Sequence, residues 1–167
     1  MSDVPEYIVD RLFDAPREMV WRAWTDPELL ARWYGPGVDT IIHKFDLKPG
    51  GEWLNEMKWG DKSDLSKAVF QEVVQEEKMV WHHSSTDADW NIVSNPMMAD
   101  WPRVLLTVVT FEDAGSRTRV RLTWTPIDAS EAEMACFANV MGNMSKGWES
   151  GFAVMDEMLV EMQANTA

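Results

Sequence analysis

Three histidines, His43, His82 and His83, are the residues best suited to acid–base or metal chemistry. His82 and His83 are adjacent in the strand-like stretch "KMVWHHSS", and neighbours on a strand point to opposite faces. They cannot enter one site together. A metal would need His43, one of that pair and a carboxylate such as Glu56 or Glu72, and no local spacing brings these together. Cys136 is the single cysteine, which excludes an internal disulfide and a cysteine-cluster metal site. It reads as a buried thiol beside Phe137. No HExxH, G-x-S-x-G, Walker loop or GxGxxG occurs. No catalytic residue, metal or cofactor is therefore expected.

Two polar side chains fall on otherwise apolar faces. His83 shares a strand face with Met79, Trp81 and Ser85, and Trp81 marks that face as the inner one. Its imidazole could orient a ligand or move a proton, although a structural hydrogen bond near the strand end is the more economical reading. Asn55 lies between Trp53 and Met57 on a face that reads as inward. A buried amide needs a partner, since leaving one unpaired costs about 1–3 kcal/mol. A ligand, a water or the backbone could supply it.

The chain is also unusual in its large apolar residues, with ten tryptophans and twelve methionines. Three of the tryptophans fall in "WRAWTDPELLARWYGPG", from Trp21 to Gly37. Trp gives broad walls with a polar edge and Met adapts its shape, a combination that suits a core built around a guest. Trp21 and Trp24 are expected to pack under a sheet. Trp33 and Tyr34, next to Gly35-Pro36-Gly37, are the better ligand candidates. Net charge is −13, from 28 acids against 15 bases. Such a surface repels phosphate backbones and anionic lipids, so neither nucleic acid nor membrane is an expected partner. No apolar leader and no run of 18 apolar residues is present, and a cytoplasmic location is the expectation.

These residues must be positioned by the elements around them. "EYIVDRLFDAP" reads as a strand, with Pro16 at the first position of a short helix. Asp26-Pro27 starts a second helix. Three hairpins follow: 38–60 turning at Pro49-Gly50-Gly51, 65–85 turning around Gln75–Lys78, and 104–126. In the last arm Thr118, Val120, Leu122 and Trp124 alternate with Arg119, Arg121, Thr123 and Thr125. Residues 86–103 have no period and read as a long loop. Ser130 and Glu133 form a capping box that opens a helix running to about 163. Its apolar stripe is Phe137, Met141, Met144, Trp148, Phe152, Met155, Leu159 and Met162. Strands segregated from helices give an α+β class in one domain, 1–167.

The stretches "FDAPREMVWRAWTDPELLARWYGP", "LKPGGEW", "VVQEEKMVW", "VVTFEDAGSRTRVRLTW" and "GWESGFAVMDEMLVEM" span almost the whole chain. Together they resemble the START-like (SRPBCC, birch-pollen-allergen-like) superfamily. Within it they resemble the branch of the activator of heat-shock protein 90 ATPase homologues. The resemblance implies a helix-grip fold, a curved antiparallel sheet wrapped around a long C-terminal helix with an apolar cavity between them. It also implies a small hydrophobic ligand. Tyr34 departs from the second Trp that often follows Trp33 in the family, and the 86–103 loop is longer than usual.

On that fold, Trp33, Tyr34, Trp53, Asn55, Met57, Trp81, His83 and Trp124 are expected to wall the cavity from the sheet side. Met141, Met144, Trp148 and Phe152 are expected to close it from the helix side, with Trp90, Met97, Met98 or Trp101 as a lid. Non-enzymatic binding of a small hydrophobic molecule is the preferred function. A cyclase- or hydrolase-like enzyme and a co-chaperone-like interaction module are the alternatives. Homodimer formation stays open, and a chaperone partner is not favoured.

Overall fold

The computed structural model describes residues 4–35, 38–95, 98–141 and 145–165, with backbone alone for 145–147 and 165. The chain opens with strand β1 (Tyr7–Phe13) and two short helices, α1 (Arg17–Thr25) and α2 (Pro27–Trp33). Pro16 is the extended residue before α1 and not its first turn, and no side chain caps that helix. At α2 the local chemistry is as read: the Asp26 carboxylate accepts from the Glu28 N–H at 3.0 Å, and Pro27 takes the first turn.

Six strands follow: β2 (Asp39–Phe45), β3 (Glu52–Trp59), β4 (Lys62–Val74), β5 (Lys78–Ser85), β6 (Leu105–Ala114) and β7 (Arg117–Pro126). They form one antiparallel sheet with β1, in the order β1-β7-β6-β5-β4-β3-β2. The sheet is curved, and β1 and β2 are free edges, so it does not close. Along β7 the alternation is clean: Thr118, Val120, Leu122 and Trp124 are buried while Arg117, Arg119 and Arg121 are exposed.

The C-terminal region expected as one helix is helical over α3 (Glu131–Met141) and α4 (Ser145–Asn165). The capping box opens α3: the Glu133 N–H donates to Ser130 Oγ at 3.1 Å and the Ser130 N–H to Glu133 Oε1 at 2.8 Å. Met144 and the junction 142–144 lie outside the described residues. Of the expected stripe, Phe137 and Met141 on α3 and Trp148, Phe152, Met155 and Leu159 on α4 are buried, and Met162 is half-buried.

The stripe seats α4 on the inner face of the sheet. The Phe152 ring meets Phe13 of β1 at 5.2 Å, Trp33 of α2 at 5.9 Å and Trp24 of α1 at 6.3 Å. Rings of this size each bury about 150–250 Å², so this cluster joins three layers at one point. Arg11 of β1 adds a polar tie, donating to Asp156 of α4 at 2.7 Å. Among the described residues no helix is long and apolar enough to cross a membrane, and no group of three or more His, Cys, Asp or Glu could hold a metal ion.

Candidate functional site

A pocket of about 420 Å³ lies between the exit of α2, the inner face of β3, β4, β5 and β7, and the first half of α4. Its aromatic walls are Trp33, Tyr34, Trp124 and Trp148, with Val38 and Met57 as aliphatic wall. The polar lining is Asp64, Ser66, His83 and Ser150, and the backbone comes close at Gly35 and Gly151.

The local sequence explains how the walls are held. Trp33 is almost fully buried, and its indole N–H donates to the Ala23 carbonyl at 2.8 Å, which locks α2 onto α1. Tyr34 follows as the helix ends. Its ring meets Trp33 at 5.8 Å, Trp53 at 5.0 Å and Trp148 at 6.1 Å. The Thr40 hydroxyl on β2 donates to the Tyr34 carbonyl at 2.6 Å. Gly35 takes a left-handed φ of +79°, and a Cβ there would lie 2.8 Å from the end of the Met57 side chain. A side chain here would be strained by the positive φ and would displace the end of Met57. On the far wall, the Trp124 and Trp148 rings meet at 5.5 Å, and His83 stacks on Trp124 at 5.9 Å.

The floor comes from a tight turn. Trp59 pairs with Lys62 across Gly60-Asp61, and Gly60 has φ +60°. That register sets Asp64 opposite Met57 and Ser66 opposite Asn55, so all four share the inner face. Burial raises the Asp64 carboxyl above its ordinary range. Burial, with the Asp64 charge adding to it, raises the Tyr34 phenol and keeps it protonated. Burial pushes His83 down to about 4, so the imidazole is neutral near pH 7. His83 Nδ1 and both amide atoms of Asn55 are buried with no hydrogen-bond partner among the described residues.

Of the twelve residues expected at the site, Trp33, Tyr34, Met57, His83, Trp124 and Trp148 line this pocket together. Trp53 and Trp81 point inward as expected but stand in solid core. The space they share with Trp24, Phe45, Phe70 and Met79 has no room for a water molecule. Asn55 borders the pocket through its neighbour Ser66. Phe152 is buried against Trp33 and Trp148, Met141 is buried on α3, and Met144 lies outside the described residues.

The loop 86–103 does not supply the expected lid from Trp90. The Asp87 carboxylate accepts the N–H groups of Asp89 and Asn91, each at 2.9 Å, and folds the segment into a turn. The Trp90 carbonyl accepts from Lys67, and its ring sits 5.3 Å from His43. Lys67 alternates with inward Ser66 and Ala68. His43 pairs at 2.8 Å with Glu56, which alternates with Asn55 and Met57. Trp90 therefore covers the outer face of the sheet. Trp101 packs on Phe137 at 5.6 Å and Met98 packs against the core. Met97 lies outside the described residues.

The sequence reading missed Gly35, Val38, Asp64, Ser66, Ser150 and Gly151. It began the second hairpin at Leu65, whereas β4 starts at Lys62. The signal for Asp64 was present: Gly60-Asp61 between two polar-flanked runs is a two-residue turn.

No curated protein sequence matches the chain. Solved structures share its fold at low identity. Protein Ms6760 from Mycobacterium smegmatis is 22% identical, with a TM-score of 0.76 over 95% of this chain and 96% of that one. A protein from Arthrobacter aurescens is also 22% identical, with a TM-score of 0.79 over 96% and 90%. A protein from Nitrosomonas europaea is 23% identical, with a TM-score of 0.73 over 98% and 99%. The sequence profile described as "Activator of Hsp90 ATPase homolog 1-like protein" matches residues 14–160. With the match covering most of the chain, and the sheet and α4 arranged as that resemblance implied, the protein belongs to the Activator of Hsp90 ATPase homolog 1-like family.

Proposed function

We propose that this protein binds a small, largely apolar molecule between its sheet and α4. The observation that carries the reading is the pocket of about 420 Å³ walled by Trp33, Tyr34, Trp124, Trp148 and Met57. That volume falls in the range of about 300–1,000 Å³ usual for small-molecule sites, which combine apolar walls with a few convergent polar groups. Asp64, Ser66 and His83 are such groups here. The neighbouring core is packed without space for water, so the pocket is a local opening and not general looseness.

The test is titration with an environment-sensitive apolar dye, read by dye emission and by quenching of tryptophan fluorescence. Saturable binding at one site is expected. The variant Val38→Trp, which fills the pocket from β2's entry, should weaken binding at least about tenfold if the dye occupies this space. Dye binding that V38W leaves unchanged would place the dye elsewhere and remove the support for this reading.

A further inference from the structure

We infer that the ligand of this pocket is an organic cation, an apolar body ending in an ammonium group set against Asp64 and the rings of Tyr34, Trp124 and Trp148. The inference rests on the binding reading above and narrows it to a ligand class.

Among the described residues, Asp64 is the one acid that lines the pocket, and none of the lysines or arginines does. Its carboxyl makes no hydrogen bond or ion pair with any other described residue. The nearest basic residue on the paired strand, Lys58, sits opposite Ser63 and so faces the other side of the sheet. Lys62, two residues before Asp64, is exposed at the turn. Partly buried carboxylates are normally paired, because removing the charge from water is otherwise uncompensated. A bound cation would supply that pairing.

The walls make the same selection. Tyr34, Trp148 and Trp124 form a continuous run of rings, with centroids 6.1 and 5.5 Å apart. Ring faces carry negative charge density, and several rings about one space are the setting in which ammonium groups are recognised. His83, which stacks on Trp124, offers neutral donor and acceptor atoms and no competing positive charge. The net charge of −13 favours the approach of cations and disfavours anions. A neutral apolar guest would leave Asp64 unpaired, and a carboxylate guest would be repelled by it.

The experiment compares three probes of similar size on the unmodified protein: benzyltrimethylammonium, its neutral isostere neopentylbenzene, and phenylacetate. Binding is read by calorimetry and by tryptophan fluorescence. The cation should bind about tenfold more tightly than the isostere, with the anion weakest. Asp64→Asn should remove that preference while leaving neopentylbenzene unchanged, and Asp64→Glu should keep it. Circular dichroism checks that both variants fold, and the probe order on the unmodified protein decides the question if they do not. Neopentylbenzene binding as tightly as the cation, or a preference that survives in D64N, overturns the cation inference while the apolar pocket stands. Saturable binding by none of the three overturns both.

Discussion

His83 and Asp64 line one pocket and are perturbed by one cause, burial, with opposite consequences for stability. For His83 the folded value of about 4 lies below the ordinary 6.5. Between those two values the unfolded chain binds a proton that the folded chain refuses, so stability falls as pH falls through that window. The ring is partly exposed along the pocket, which holds the loss to about 2 kcal/mol. For Asp64 the folded carboxyl is raised, so the folded chain takes up its proton first and stability gains as pH falls through the folded value. From pH 7 to 4 the urea midpoint of the unmodified protein should fall relative to that of His83→Gln, because relief of the acidic excess is common to both. A midpoint difference that stays constant with pH would assign the pH dependence to other groups. Asn55 gives a second prediction. Its amide is buried and unpartnered among the described residues, so replacing it by an apolar residue of like size removes a desolvation cost. Asn55→Leu should be neutral or stabilising by about 1 kcal/mol in urea titration. A loss above about 1 kcal/mol would mean that the amide is satisfied by a bound water or ligand.

At the scale of elements, the sequence revealed faces better than depths. Alternation in "RTRVRLTW" and "EWLNEMKW" named the inward residues of β7 and of β3 as far as Met57, because period two needs no knowledge of neighbours, while Trp59, read on the same face, is exposed at the strand end. Alternation says nothing about where along a strand the core stops and the pocket begins, so Trp53 and Trp81 were expected as wall and are packing. The chemistry of caps was equally local, and Asp26, Ser130 and Glu133 behave as read. What depended on pairing was missed. The position of Asp64 follows from the β3–β4 register, and the placement of Trp90 on the outer face follows from Lys67 and His43 on separate strands. Trp148 tests the seating of α4 directly. Its ring touches Tyr34, Trp124 and Phe152, and so connects α4 to the end of α2 and to β7. Trp148→Ala should cost about 3 kcal/mol, the low end for such truncations, because one side of the ring already faces the pocket. Thermal or urea unfolding measures it, and a loss below about 1 kcal/mol would show that α4 is not held through this residue.

For the whole molecule, the order of elements and the family were readable because both are one-dimensional, whereas the pocket arises where six elements meet. Charge is also a property of the whole chain, and it acts on fold and ligand in opposite directions. With 28 acids against 15 bases, the folded chain repels itself more than the expanded one does. Screening is weak at 0.01 M salt, where the Debye length is about 30 Å, and strong at 0.15 M, where it is about 8 Å. Exposed ion pairs such as Arg32–Glu161 at 3.0 Å and Arg119–Asp10 at 3.1 Å oppose the repulsion, but each contributes only about 0.2–1 kcal/mol and is itself screened. The repulsion should dominate. Raising sodium chloride from about 0.01 to 0.15 M should raise the calorimetric Tm by about 2–4 °C, the shift expected for about 1 kcal/mol in a chain of this size. Over the same range the affinity for benzyltrimethylammonium should fall, because the field that draws the cation is screened while the fold is relieved. A Tm that falls with salt would mean that the ion pairs outweigh the net charge. The electrostatic account of the surface would then have to be built from those pairs and not from the excess of acids.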